Sequence, residues 1–195
     1  MKDHDPDQLI DLFNTLFIGK YNTRLNYSGD EPIYLPASGD EKHHRILFAH
    51  GFYASALHEI SHWCIAGNER RQLIDFGYWY EPDGRNEDQQ REFEQVEIKP
   101  QAIEWILNKA CGHKFNISTD NLDGDPSAIA AGREQFAINV VKQVKNYLQN
   151  GLPLRADVLK QALLDYYQMN KKLTSDDFLL SELIDTHQSQ LLITA

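Results

Sequence analysis

The chain of 195 residues has a formal net charge of -10, a length that suits one domain over 1-195, with about 170-195 as a candidate peripheral extension. The acidic balance argues against a general nucleic-acid binder, since no basic cluster exceeds the Arg70-Arg71 and Lys171-Lys172 pairs and a phosphate backbone wants a basic stripe. An N-terminus without an apolar run, no apolar stretch near 18 residues and only two isolated cysteines, Cys64 and Cys111, predict a soluble protein of a reducing, cytoplasmic compartment.

In chain order, Asp5-Pro6-Asp7 predicts the start of a helix whose apolar face is Leu9, Ile10, Leu12, Phe13, Leu16 and Phe17, with Gly19 near its end. Asn22 to Asp40 reads as turn-rich, broken by Gly29, Pro32, Pro36 and Gly39, with a short strand at Ile33-Tyr34-Leu35. Arg45 to Ala49 predicts a second short strand that feeds, through His50-Gly51, a buried helix ending at Gly67. Leu73 to Tyr80 predicts another strand, with Tyr78, Trp79 and Tyr80 as sheet core, stopped by Pro82-Asp83-Gly84. A helix over Glu87 to Ala110 carries Phe93, Val96, Ile103, Leu107 and Ala110 on one stripe, kinked or broken at Pro100 and closed by Gly112. Helices over Ser127-Gln149 and Arg155-Met169 follow, then a short one capped by Thr174-Ser175-Asp176-Asp177. The sum is an α+β fold, a small mixed sheet flanked by helices.

The helix before Gly67 contains His58-Glu59-Ile60-Ser61-His62, an H-E-x-x-H pattern. Residues four apart share a helix face, so both imidazoles can grip one metal ion at about 2.0–2.1 Å. Glu59 points to a neighbouring face, within reach of a metal-bound water. The bland alternative is a pair of surface histidines, with Trp63 and Ile65 alone forming the core face.

Two histidines need a third protein ligand. In one familiar version a Gly follows the second His by three and a third His by six; Ile65 and Asn68 hold those positions and exclude it. A carboxylate from farther along is the expected type. On the 87–110 helix, phase puts Glu97 and Glu104 beside the apolar stripe and Glu94 farther toward solvent. Periodicity does not separate Glu97 from Glu104. Among the other candidates, His50 could stand behind the site or cap a turn, and His113 follows a helix end, where the dipole favours a cation. His43-His44 reads as a solvated turn and Cys64 as a small buried hydrophobe. Asp120, Asp123 and Asp125 with Gly124 have the wrong spacing for an EF-hand.

Five runs carry a resemblance: EPIYLPA (Glu31–Ala37), FAHGFYASALHEISHWCIAG (Phe48–Gly67), DFGYWYEPDGR (Asp75–Arg85), FEQVEIKPQAIEW (Phe93–Trp105) and DNLDGD (Asp120–Asp125). Together they resemble the bacterial elongation factor P hydroxylase family, over about Asn22 to Tyr167. The resemblance implies hydroxylation of the β-lysylated lysine of elongation factor P. It also implies a fold similar to a small metal-dependent ribonuclease of the H-x-x-x-H type. The implied site is a two-His-one-carboxylate iron centre using O₂, with His58, His62 and Glu97 as its ligands, which selects Glu97 over Glu104. Glu59 then acts beside the metal or in moving protons, and Glu94, Glu104 or Asp123 orient the ammonium groups of the modified side chain. No 2-oxoglutarate clamp is recognisable, which leaves the electron donor open.

Three readings follow. The resemblance supports an Fe(II)-dependent protein hydroxylase; the motif alone favours a zinc hydrolase, a peptidase or nuclease using Glu59 as base. A non-catalytic binding module with a closed structural metal site is the third.

Overall fold

In the computed structural model, which describes residues 2–75, 87–119 and 126–184, helix α1 (Pro6–Tyr21) starts where the capping residues predict. Asp5 accepts a hydrogen bond from the Asp7 N–H at 3.0 Å, and Pro6 opens the first turn. The helix buries Leu9, Phe13 and Phe17, and Asn22, in the left-handed region, ends it.

The sheet is mixed and three-stranded, in the order β1-β3-β2. Strands β2 (Ile33–Leu35) and β3 (His44–Phe48) fall where the apolar runs place them and pair antiparallel. Strand β1 (Thr23–Tyr27) corrects the sequence reading, which took Asn22 to Asp40 as turns with one strand. It lies parallel to β3, Thr23 opposite His44 and Tyr27 opposite Phe48. Thr23 and Leu25 face the core, and the Asn14 side chain bonds both the N–H and the carbonyl of Leu25. His44 is likewise not a solvated turn residue. It opens β3, accepts a hydrogen bond from the Ala37 N–H and stacks on Tyr34.

From β3 the chain turns through His50 and Gly51, both at positive φ, into α2 (Tyr53–Ile65). A Cβ at Gly51 would meet the Tyr27 ring at 3.4 Å, so a glycine suits this corner twice over. The helix does not end through a left-handed Gly67. Ala66 leaves it in an extended conformation, and Arg155 donates to the carbonyls of Trp63, Cys64 and Ala66. Beyond a single 3₁₀ turn at Arg70–Gln72, the described chain reaches an isolated bridge between Tyr34 and Asp75. The rest of the strand expected over Leu73–Tyr80, including Tyr78, Trp79 and Tyr80, lies outside the described residues, as do the turn at Pro82–Gly84 and the Asp120–Asp125 loop.

Helix α3 (Glu87–Cys111) runs through Pro100 as one helix, so the proline does not break it. A mid-helix proline forfeits one hydrogen bond, at a cost of about 3 kcal/mol. Here Pro100 is buried at the start of the most deeply packed part of the chain, Gln101 to Asn108, where tertiary packing outweighs the local penalty. Gly112, at positive φ, closes the helix. Helices α4 (Pro126–Asn150) and α5 (Leu154–Tyr166) follow, α5 ending earlier than predicted because Gln168 turns left-handed. The Thr174–Asp177 capping box opens the 3₁₀ turn Ser175–Asp177. Leu173, Phe178 and Leu183 join the same buried cluster as α1, α2 and α3. No helix among the described residues is long and apolar enough to cross a membrane.

Candidate metal centre

Helices α2 and α3 pack side by side, and the site lies between them. Leu57, Ile60, Trp63 and Cys64 lock α2 into the core, with Trp63 set against the rings of Phe13 and Phe17. This fixes the face that carries His58 and His62. Facing it, α3 presents Glu97 and, two turns later, Glu104, both buried.

The contacts converge on one point. His58 Nε2 and His62 Nε2 are 3.1 Å apart. Glu97 Oε1 lies 3.2 Å from His62 Nε2, and Glu97 Oε2 lies 3.9 Å from His58 Nε2. Although fully buried, Glu97 Oε1 accepts no hydrogen bond of acceptable geometry. Donors about 2.1 Å from one ion stand about 3.0 Å apart at a right angle and about 3.4 Å apart at the tetrahedral angle. The two short separations match that range. Among the described residues, His58, His62 and Glu97 are the group able to hold a metal ion.

The surroundings prepare these donors. Glu104 Oε2 is 2.8 Å from His58 Nδ1, so the Nδ1 proton goes to the carboxylate and Nε2 is the nitrogen that faces the cluster. Gln101 donates to Glu97 Oε2 at 3.4 Å and to the Ser118 carbonyl at 2.7 Å, and accepts from the Ser118 N–H at 3.2 Å. Oε2 is thereby engaged and Oε1 is left to the cluster. Sequence phase finds Glu104 but not its role; Gln101, four residues after Glu97, carries a signal in its spacing alone.

The electrostatics follow from packing carboxylates against imidazoles. Burial would depress His58, but Glu104, Glu97 and Glu59 overcome it and raise its pKa to about 10. Burial would raise Glu97, but His62, His58 and Gln101 hold it below the usual carboxylate value. Glu59 is raised by burial, against the pull of His58 and His62 and with the help of Glu97 and Glu104. Glu59 stands outside the ligand cluster and lines a cavity beside His62.

The remaining candidates lie elsewhere. Glu94 accepts a hydrogen bond from Gln90, and His50 is an exposed turn residue. His113 is no helix-end cation: burial and His4 lower its pKa, and it sits among Asn108, His4 and Tyr53. Cys64 is a buried thiol, as expected, with a pKa pushed up to about 12 by burial. Asp123 falls outside the described residues.

Residues 12–178 match the sequence model of the family described as Elongation factor P hydroxylase. A protein of Haemophilus influenzae named Elongation factor P lysine hydroxylase is 51% identical over 180 residues, covering 92% of this chain and 96% of that protein. By both measures the chain belongs to the elongation factor P hydroxylase family.

Proposed function

We propose that the protein hydroxylates a lysine of elongation factor P, in its β-lysylated form, at an Fe(II) ion held by His58, His62 and Glu97. The observation that carries this is the pair of imidazole nitrogens 3.1 Å apart beside a buried carboxylate oxygen without a hydrogen bond. Such an arrangement is costly unless a cation fills it. Three protein ligands of this type leave positions at iron where O₂ can be activated next to a C–H bond.

The chain's own residues orient and support the centre. Glu104 sets the His58 tautomer and Gln101 holds one Glu97 oxygen away from the cluster. Ile60, Trp63, Phe93 and Ile103 are buried on the two helices that carry the cluster and hold them in place. Glu59 is close enough to both histidines to feel their charge and works on the substrate side. Hydroxylation with O₂ leaves one oxygen in the product and one in water, and it consumes two electrons and two protons. A reductant from solution therefore completes the balance. The protein acts in the cytoplasm, where Cys64 and Cys111 stay reduced.

A zinc hydrolase is the second reading, favoured by one observation: Glu59 lines the cavity beside His62 as a base would. Intact mass separates the two. Protein purified without air is given Fe(II), ascorbate, β-lysylated elongation factor P and then air. A gain of roughly 16 Da on the factor, absent in His58→Ala and Glu97→Ala, supports the hydroxylase. No gain with iron, together with peptide or RNA cleavage with zinc, supports the hydrolase.

A further inference from the structure

A cavity of about 140 Å³ opens beside His62. Tyr34, Ile46, Trp63, Ile65 and Val96 give it apolar walls. At about 30 Å³ per water it has room for about five waters, or for one unbranched side chain in their place.

Its charged groups are not equivalent. Arg70 is ion-paired with Asp75. The Arg71 guanidinium donates to Asn68 and lies over the Tyr21 ring. Glu59 has no such partner. The residue is only 9% exposed, and its carboxylate accepts no hydrogen bond among the described residues. Its carboxylate borders the cavity, where a donor that enters can bond it.

From this we infer that the cavity receives the amine-bearing end of the substrate's modified lysine, with Glu59 accepting a hydrogen bond from an ammonium group there. The choice of lysine rests on the hydroxylase reading above; the cavity and its unpaired carboxylate stand without it. The apolar walls match a methylene stem, which packs on such surfaces while its charged end seeks a polar partner. A carboxylate and an ammonium form a charge-assisted bond, stronger than a neutral one. His62, one of the proposed ligands, forms part of the same wall. An ammonium anchored at Glu59 therefore holds the modified side chain beside the centre that reacts with it. Glu59 is then a substrate-binding residue that fixes which carbon is presented.

The test uses metal-free protein, so that its readout does not depend on metal loading. Nα-acetyl-lysine N-methylamide and its neutral counterpart, Nα-acetyl-norleucine N-methylamide, are titrated into ¹⁵N-labelled protein. The Trp63 indole N–H, on the cavity wall, is followed against that of Trp105, which does not line it. The lysine probe should shift Trp63 and leave Trp105 still, and bind at least about tenfold more tightly than the norleucine probe. In Glu59→Gln that preference should vanish, while the variant still binds one Co(II), showing the histidine site intact. Equal binding of the two probes, no Trp63 shift at any concentration reached, or a preference that survives Glu59→Gln overturns the assignment. A lysine preference in a protein that never hydroxylates elongation factor P would overturn the hydroxylase reading and keep the cavity as an amine site.

Discussion

His58 Nδ1 and Glu104 Oε2 lie 2.8 Å apart, and that one contact decides which imidazole nitrogen faces the cluster. With the Nδ1 proton bonded to a buried carboxylate, Nε2 is the nitrogen that gives up its proton to bind, and the ring cannot rotate without breaking the bond. Carboxylates placed behind metal-binding histidines typically contribute about 10–100-fold to affinity. Glu104→Ala should weaken Co(II) binding by about that factor. Glu104→Gln should lose less, since an amide oxygen still accepts from Nδ1. Visible absorption of Co(II) during titration reads both; unchanged affinity in Glu104→Ala would remove Glu104 from the support of the site.

The same contact sets a pH dependence. Glu104, Glu97 and Glu59 hold the His58 pKa at about 10, against an unperturbed 6.5. A group raised in the folded state contributes stability that is complete below its unfolded pKa and is lost as pH rises through the folded one. The Tm of the metal-free protein should therefore fall between about pH 6.5 and 10 on account of His58. A ligand must shed its proton to bind, so metal uptake at neutral pH should release one from His58 and tighten about tenfold per pH unit up to about pH 10. Calorimetry in two buffers of different ionisation enthalpy counts the proton. A count of zero would mean that His58 is neutral before metal arrives.

These local arguments show why some of the molecule could be read from its sequence. Helix α1 carried a cap and an apolar face in a dozen residues, and the histidine spacing needed only that α2 be helical. Strand β1 was hidden because Thr23 to Tyr27 is held by β3, some twenty residues away, and by Asn14 of α1. Pro100 does not break α3 for a related reason, since a rule about local hydrogen bonding cannot see how deeply that helix is packed. Phase placed Glu97 and Glu104 on the correct face. Their division into a member of the cluster and a holder of His58 is a matter of depth between two helices, which periodicity does not encode.

Arg155 was invisible for the same reason, yet it ends the helix that bears the motif. Its guanidinium donates to the carbonyls of Trp63, Cys64 and Ala66 at 2.8, 3.1 and 2.6 Å and lies 4.7 Å from the Trp63 ring. Removing it leaves three carbonyls of a helix C-terminus without this donor. Arg155→Ala should cost about 2–4 kcal/mol, allowing for partial hydration of the site, at about 2–4 °C of Tm per kcal/mol for a chain of this size. Arg155→Lys should recover only part, because the shorter ammonium-ended chain keeps a charge near the carbonyls but loses the planar guanidinium stacked over the Trp63 ring. Thermal melts of the two variants check this, and an unchanged Tm in Arg155→Ala would show that solvent replaces the cap.

Phe178 tests whether the chain beyond α5 is part of the folded unit. It is 1% exposed and stands edge-on to Trp105 at 5.0 Å between ring centroids. Trp105 is the residue after Glu104 on α3, so the contact braces the helix at the level of the His58 partner. A buried phenylalanine cut to alanine typically costs about 3–5 kcal/mol through lost transfer energy and a residual cavity. Phe178→Ala should destabilise by about that much and loosen Co(II) binding as α3 shifts. Truncation after Met169 should do more, because it also removes Leu173 and Leu183 from the core. Denaturant melts with and without Co(II) measure both effects. A truncated chain with full stability and full metal affinity would make the segment a peripheral extension, and the packing of Phe178 on Trp105 would then support nothing beneath it.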